Sequence, residues 1–154
     1  MLAIFTCESN DPTSECPTPV AGSKQDGLLS ELRGQARFGL VYPCYLPNAQ
    51  TLTSTSLQGA TGRQQAELVF SGPFDLTVRQ AQVPPAVSPD PAGASRRTID
   101  LFPNVQATFI ERNDGTRKAL YHLLWDANGL YYEIQALGPP LQSQTIVNIA
   151  RSLQ

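Results

Sequence analysis

Residues 117–153 read RKALYHLLWDANGLYYEIQALGPPLQSQTIVNIARSL, and this stretch decides the fold because it holds a hairpin followed by a helix. Residues 119–125 alternate with a period of two and are rich in aromatic side chains, which predicts a strand buried on both faces or nearly so. Asn128 and Gly129 then form the pair that most easily adopts the positive φ angles of a tight turn. Residues 130–137 are again rich in β-formers and predict the returning strand.

The pattern changes its period after residues 138–140, where a glycine and two prolines end the second strand. Apolar residues then recur at the spacing of a short amphipathic helix that begins near Gln142 or Ser143. These apolar positions are Ile146, Ile149, Ala150 and Leu153. The helix must bury this stripe, and the apolar face of the hairpin is the nearest surface. We therefore expect the hairpin and the helix to form the core.

The composition describes one domain with a polar surface that carries few charges. The chain has 154 residues, of which 41% are hydrophobic and 16% charged, with 13 prolines and 11 glycines. Such a composition is common in secreted or extracytoplasmic β-rich domains. The net charge of −2 and the scattered basic residues argue against nucleic acid as a partner. We expect residues 1–23 to be a flexible tail or linker and residues 24–154 to be a single α+β domain.

The rest of the chain predicts one more helix and several strands. A short helix is expected over residues 23–36, a strand start at residues 38–42 and a proline-bounded corner at residues 43–47. Period-two patterns predict strands at residues 51–57, 66–71, 74–79, 97–102 and 105–111, and a turn is expected at residues 113–116. The predicted fold class is α+β: a mainly antiparallel, curved sheet of about seven or eight strands, with a short helix before it and a C-terminal helix packed on it.

A proline-rich segment at residues 83–96 interrupts the strands. Four prolines stand among small residues there, which excludes a helix or a central strand and predicts a surface loop. We favour a tolerated insertion over a recognition loop, because long loops are functional in only some proteins.

The three cysteines, Cys7, Cys16 and Cys44, are the disulfide candidates. The segment between the first two has little apolar surface to hold it in place. A disulfide within it, or from Cys16 to Cys44, would tie the tail to the domain in an oxidising compartment. A metal site would need a fourth ligand, and the only histidine, His122, is distant in sequence, so we expect no metal. Acylation of Cys7 in a lipoprotein is an alternative, although the two residues before it are larger than the small residues expected there.

The sequence contains no recognisable catalytic motif. Any mechanism that depends on histidine must use His122, which we interpret as a packed or cross-strand residue in the middle of a strand. Asp75, Glu67 and Glu133 are predicted at solvent-facing strand positions. We therefore predict no enzymatic activity and no cofactor. An enzyme would require a carboxylate or Cys44 near His122 in a cleft.

Four aromatic residues of the hairpin, Tyr121, Trp125, Tyr131 and Tyr132, are the candidate ligand-binding residues. Aromatic side chains can line an apolar groove and offer a polar tip to a ligand. The alternative interpretation places them in the core.

Several stretches resemble one bacterial extracytoplasmic domain of unknown function. They are residues 38–47 with their Pro-x-Tyr-Leu-Pro corner, the strand pair around residues 68–78, Leu124-Trp125, Tyr131-Tyr132 and residues 149–153. That domain occurs at the C-termini of anti-sigma-factor-like membrane proteins and in lipoproteins. It is similar in layout to the RseB and LolA class of periplasmic sheets, which bind lipids or regulatory partners. This chain departs from the pattern at Asn48-Ala49, where the domain usually has a glycine, and in its proline-rich segment.

The resemblance implies an extracytoplasmic, non-catalytic binding or regulatory module whose partner is a protein. The domain has no agreed catalytic residues, so none is carried over to this chain. The location it implies is secreted, periplasmic or on the outer surface, with membrane proximity through an anchor outside this sequence. The alternative function is a carrier or sensor of an apolar or lipid-like ligand in a groove of the sheet.

Overall fold

The structure of the protein, a computed structural model, describes Pro19 and residues 21–47, 50–115 and 118–153. Within these ranges two helices flank seven strands that form one antiparallel sheet, which confirms the predicted α+β class. The turn predicted at residues 113–116 and the tail predicted at residues 1–23 lie partly or mostly outside the described residues. The elements are α1 (Lys24–Gln35), β1 (Thr51–Gln58), β2 (Gln65–Ser71), β3 (Asp75–Ala81), β4 (Ser95–Phe102), β5 (Val105–Arg112), β6 (Ala119–Ala127), β7 (Leu130–Gly138) and α2 (Ser143–Arg151).

The last strand of the chain lies inside the sheet. The strand order is β1-β2-β3-β7-β6-β5-β4, so β7 lies between β3 and β6 and joins two groups of sequential strands. The predicted turn between β6 and β7 is confirmed: Asn128 and Gly129 have φ angles of 54° and 79°. Ala127 pairs with Leu130 on either side of them. This two-residue turn fixes the register of the whole hairpin.

One face of the sheet carries the core. Helix α2 lies on this face against β4, β6 and β7, which confirms the predicted packing of the C-terminal helix on the hairpin. Burial of one aliphatic side chain contributes about 1.5–3 kcal/mol relative to exposure, so a short helix with a buried stripe is held mainly by this face. The buried residues of α2 are Ile146, Val147, Ile149 and Ala150. Fully buried residues of the sheet include Phe70, Leu76, Tyr121, Leu123 and Ile134.

Helix α1 packs beside β1. Ser23 is its N-cap: the Ser23 Oγ accepts a hydrogen bond from the backbone N of Asp26 at 3.2 Å. The Asp26 carboxylate in turn accepts from the backbone N of Gly22 at 3.0 Å. The first of these bonds satisfies a donor that a helix N-terminus leaves unpaired, and the second holds the residue before the cap. The helix buries Leu29 and Leu32, and the predicted first helix is confirmed.

Residues 37–46, called here the linking segment, run from α1 to the end of α2. The strand start predicted at residues 38–42 is wrong, because no strand is assigned there. Instead of a neighbouring strand, the Gln80 side chain pairs with the backbone of this segment. Its Oε1 accepts from the N of Val41 at 3.0 Å, and its Nε2 donates to the O of Gly39 at 2.7 Å. The segment extends across the core face rather than beside another strand, so side-chain amides satisfy its backbone.

The far end of the linking segment is held by Ser152, which is fully buried at the end of α2. The Ser152 Oγ accepts from the N of Tyr45 at 3.0 Å and donates to the O of Ile149 at 2.7 Å. The backbone N of Cys44 donates to the O of Ser152 at 3.2 Å. The two helices and the linking segment together therefore cover the core face.

We expect Tyr121→Phe to lower the free energy of unfolding by about 1–3 kcal/mol, because it leaves two backbone groups of Leu141 without their partner. The Tyr121 hydroxyl donates to the O of Leu141 at 2.9 Å and accepts from its N at 2.8 Å. Urea denaturation followed by circular dichroism measures the change. The matched control is Tyr131→Phe on the opposite face of the sheet, for which we expect a change within about 0.5 kcal/mol. Equal stability of the two variants would contradict the prediction.

Candidate functional site

The face of the sheet opposite the helices, called here the open face, carries a set of charged side chains. Successive residues of a strand point to opposite faces, so Glu67, Arg79 and Glu133 point away from the core residues beside them. The proline-rich loop at residues 82–94 and this face together line a cleft of about 720 Å³. His122 of β6 also lines the cleft. We therefore treat this cleft as the candidate site.

Strand register brings the charged residues together. Glu67 lies opposite Arg79 in the β2–β3 pair, and Arg79 lies opposite Glu133 in the β3–β7 pair. His122 lies opposite Gln135 in the β6–β7 hairpin, one diagonal step from Glu133. The four side chains thus cross four neighbouring strands, and we call them the charged row.

Hydrogen bonds connect the whole charged row. Arg79 Nε donates to Glu67 Oε2 at 2.6 Å, and Arg79 Nη1 donates to Glu133 Oε1 at 2.9 Å. The same Glu133 oxygen lies 2.7 Å from His122 Nε2. The side chains of Glu133 and His122 are only 14% and 19% exposed. Salt screens such partly buried pairs less than it screens pairs on a fully exposed surface.

The pKa values of two members are shifted. Burial raises the pKa of the Glu133 carboxyl, but the hydrogen bonds and charges of His122 and Arg79 outweigh burial and hold this pKa below its ordinary value of 4.5. Burial lowers the pKa of the Arg79 guanidinium, whereas its two carboxylate partners together raise it above its ordinary range. Glu67 and Glu133 lie on the face opposite the core, as predicted, but both are ion-paired and partly buried rather than freely solvated. Asp75 is exposed, as predicted.

The proline-rich loop forms the second wall of the cleft. No helix or strand is assigned within it, which confirms the predicted loop, although β4 begins at Ser95 and shortens it. Two nitrogens of Arg96, Nε and Nη2, donate to the two carboxylate oxygens of Asp90 at 2.8 and 2.6 Å. These hydrogen bonds lower the pKa of Asp90, and the charge of His122 adds a smaller lowering. The Asp90–Arg96 ion pair thus links the loop to β4, and Asp90 lines the same cleft as the charged row.

The four aromatic candidates do not share one surface. Tyr121 is fully buried, and Trp125 is 7% exposed. Trp125 stacks on Tyr132 with ring centroids 5.2 Å apart and an angle of 6° between the ring planes. Tyr131 lies on the open face, because neighbouring residues of a strand alternate. A single groove lined by all four side chains is therefore not formed.

Cys44 is disulfide-bonded. Both other cysteines of the sequence, Cys7 and Cys16, lie outside the described residues. In the part of the chain that the structure describes, no group of three or more His, Cys, Asp or Glu residues is arranged to hold a metal ion.

His122 bonds to the neighbouring strand, as its interpretation as a cross-strand residue predicts. A carboxylate beside His122 in a cleft, the arrangement that a histidine-dependent enzyme would require, is present in Glu133. Sequence reasoning missed Arg79, which links Glu67 to Glu133. The turn at residues 128–129 fixes the hairpin register and could have revealed the contact between His122 and Glu133, whereas no local signal indicates that β3 pairs with β7.

A second cavity of about 1170 Å³ lies where the β4–β5 turn meets α2. Its lining includes Asp100, Asn104, Asp126 and Arg151. Arg151 is already engaged there, since its Nε donates to the O of Leu101 at 2.8 Å and its Nη2 to the O of Asp100 at 3.1 Å. The cleft under the proline-rich loop is the better candidate, because it combines apolar walls with the charged row.

No protein-family model, curated protein or solved structure matches this chain. The resemblance to RseB- and LolA-like sheets therefore stays a prediction. None of the helices within the described ranges is long and apolar enough to cross a membrane. The function has to be argued from the cleft.

We expect Glu133→Gln to lower the free energy of unfolding at pH 7 by about 1–3 kcal/mol, because Arg79 and His122 lose a charged acceptor. The Glu133 pKa is lower in the folded state, so the carboxylate stabilises the fold above pH 4.5, and this contribution is lost as the pH falls through the folded-state pKa. The difference between wild type and variant should therefore shrink towards pH 2.

Urea denaturation at several pH values, followed by the fluorescence of Trp125, tests this expectation. The control is Glu31→Gln, at an exposed position on α1, which should leave the pH dependence unchanged. A difference between wild type and Glu133→Gln that is constant with pH would contradict the proposed role of the Glu133 charge.

Proposed function

We propose that this chain is a non-catalytic binding or regulatory module that contacts a protein partner through the cleft under the proline-rich loop. One observation carries the proposal: the helices and the linking segment cover one face of the sheet, while the other face keeps a cleft of about 720 Å³. Ligand sites typically occupy about 300–1,000 Å³ and combine apolar walls with a few placed polar groups.

The lining of the cleft supports a protein partner. Ile110, Leu120 and Leu124 supply apolar surface from the sheet, and prolines supply it from the loop. The charged row supplies polar contacts from the same open face of the sheet. Val87, in the loop wall, is fully exposed, which is unusual for an aliphatic residue in a small domain. Apolar surface beside a polar rim is typical of a contact between proteins.

The bonding of the charged row supports a binding role rather than a catalytic one. One oxygen of Glu133 accepts from both Arg79 and His122. The His122 imidazole is therefore hydrogen-bonded to a carboxylate that also holds the Arg79 guanidinium. The lowered pKa of Glu133 makes its carboxylate a weak proton acceptor at neutral pH. Glu133 itself is therefore a poor general base, since a general base needs a pKa near the working pH.

The disulfide at Cys44 supports an extracytoplasmic location, because disulfides persist mainly in oxidising compartments. The resemblance described above adds the expectation that the module lies near a membrane, secreted or anchored by a segment outside this sequence.

The second candidate function is a carrier or sensor of an apolar ligand. It is favoured by the apolar walls of the cleft, not by the four aromatic residues of the hairpin. Native mass spectrometry of protein purified from a bacterial periplasm distinguishes the two functions. A retained lipid-sized mass would favour the carrier, and ligand-free protein would favour the protein-binding module.

We expect small-molecule fragments to bind in the cleft and to be released chemically unchanged. Two-dimensional NMR of the labelled protein with a library of small amides, amines, acids and arenes should shift the backbone resonances of residues that line the cleft. Thr108→Trp should abolish these shifts, because Thr108 lines the cleft on β5 and the larger side chain fills it. The control is Ser30→Trp, at an exposed position on α1.

Fragment shifts that map elsewhere, or that survive Thr108→Trp, would overturn the cleft as the binding site. Turnover of any fragment that is lost in His122→Ala would overturn the non-catalytic role.

We expect the Cys44 thiol to be protected from alkylation in protein purified from a bacterial periplasm. Iodoacetamide treatment without reductant should leave the peptide that contains Cys44 unmodified, and treatment after reduction should label it fully. Mass spectrometry of the digested protein measures both states. Labelling without reductant would argue against an oxidising location and against the disulfide.

A further inference from the structure

Two carboxylate oxygens of the charged row have no hydrogen-bond donor among the described residues. Glu67 accepts from Arg79 only through Oε2, and Glu133 accepts from Arg79 and His122 only through Oε1. Glu67 Oε1 and Glu133 Oε2 therefore accept no hydrogen bond from a described side chain or backbone group. A carboxylate oxygen is an acceptor only, so a ligand that meets these atoms must donate hydrogen bonds.

The charges around the cleft are unbalanced. Its lining holds three carboxylates, on Glu67, Glu133 and Asp90, against two guanidinium groups, on Arg79 and Arg96. Without His122, the sum of these five groups is a single net negative charge. All three carboxylates are in ion pairs, yet the site as a whole still favours a cation over an anion, because a like charge brought into a partly buried site is repelled.

The walls of the cleft are suited to an apolar stem. Ile110 is 3% exposed beneath the cleft, and Leu120 and Leu124 flank it on β6. The proline-rich loop closes the opposite side with Pro85 and Pro89. A long basic side chain has this combination of chemistry, since it carries an aliphatic stem and a charged head.

The rim of the cleft is suited to a peptide backbone. Gln58, Gln65 and Gln135 line it with neutral amide groups. An amide side chain both donates and accepts hydrogen bonds, so it can pair with the N–H and C=O groups of an extended chain. A free amine can donate to these amides, but it has no C=O group to accept from them.

We propose that the cleft receives an arginine or lysine side chain presented by an extended segment of a protein partner. This inference rests on the function proposed above and specifies the chemistry of its partner. The basic head donates to Glu67 Oε1 and Glu133 Oε2, its stem lies along the apolar walls, and the flanking backbone contacts the glutamine amides of the rim.

Three short peptides that differ only in a central arginine, glutamine or glutamate test the proposal, with butylguanidinium as the free small-molecule probe. NMR titration of the full chain at low ionic strength should show that the arginine peptide shifts resonances of the cleft. It should bind about tenfold more tightly than the glutamine peptide, and this advantage should decrease as salt is added.

Glu67→Gln should remove most of this advantage, about tenfold in affinity. The variant keeps the side-chain volume and an oxygen that accepts from Arg79, so the fold is expected to persist. Glu31→Gln on α1 removes the same charge at an exposed position remote from the cleft lining, and binding should not change.

The other outcomes test the ligand class and the proposed function separately. Equal binding of the three peptides in the cleft would overturn the cationic class but leave the cleft as a binding site. Butylguanidinium that binds as tightly as the arginine peptide would overturn the protein segment as the source of the cation. Arginine-peptide binding that Glu67→Gln does not weaken would overturn the assigned contact. If neither fragments nor peptides reach the cleft, both the inference and the proposed function fail.

Discussion

The pairing of β3 with β7 is the constraint on which the rest of the structure depends. It is the ladder that joins β1-β2-β3 to β7-β6-β5-β4. On the core face it places Val78 opposite Ile134, and on the open face it places Arg79 opposite Glu133. One backbone register therefore closes the core and assembles the charged row. A slip of one residue would exchange the two faces and destroy both.

The helices cover one face of the sheet and also contact its two edge strands. One side chain of each helix bonds to the backbone of an edge strand. Gln25 Oε1 of α1 accepts from the N of Leu52 on β1 at 3.3 Å, and Arg151 of α2 donates to the O of Leu101 on β4. Such contacts occupy backbone groups that an edge strand would otherwise offer to another chain. The open face is the surface on which the fold places no helix, and the cleft lies there.

The parts of the fold that sequence could predict are those with local signals. The Asn128–Gly129 turn, the proline stop before α2 and the apolar stripe of α2 each act within a few residues, so the hairpin and the helix were predicted correctly. The linking segment has apolar, β-forming residues, which predict a strand start where the structure has none. Only the folded chain shows that Gln80 and Ser152, far away in sequence, satisfy its backbone.

The candidate site was harder to predict for the same reason. Glu133 and His122 lie in one hairpin, and the two-residue turn sets their register, so their contact was within reach of sequence reasoning. Arg79 joins them through the β3–β7 pairing, which spans three intervening strands and has no local signal. The composition of the proline-rich segment predicts a loop, but it does not indicate which face of the sheet that loop covers.

Stability alone gives a weak physical reason for the charged row. Exposed ion pairs add about 0–1 kcal/mol, and although removal of one partner from a buried pair is costly, apolar residues of similar volume often match the pair as a whole. The open face already places Ile110 and Leu124 beside the row, so this part of the sheet accommodates apolar side chains. A row of four hydrogen-bonded polar groups under a proline-rich wall instead provides acceptors held in a fixed orientation. Because fixed acceptors reduce the ordering cost of binding, the chemistry of the row fits recognition better than it fits folding.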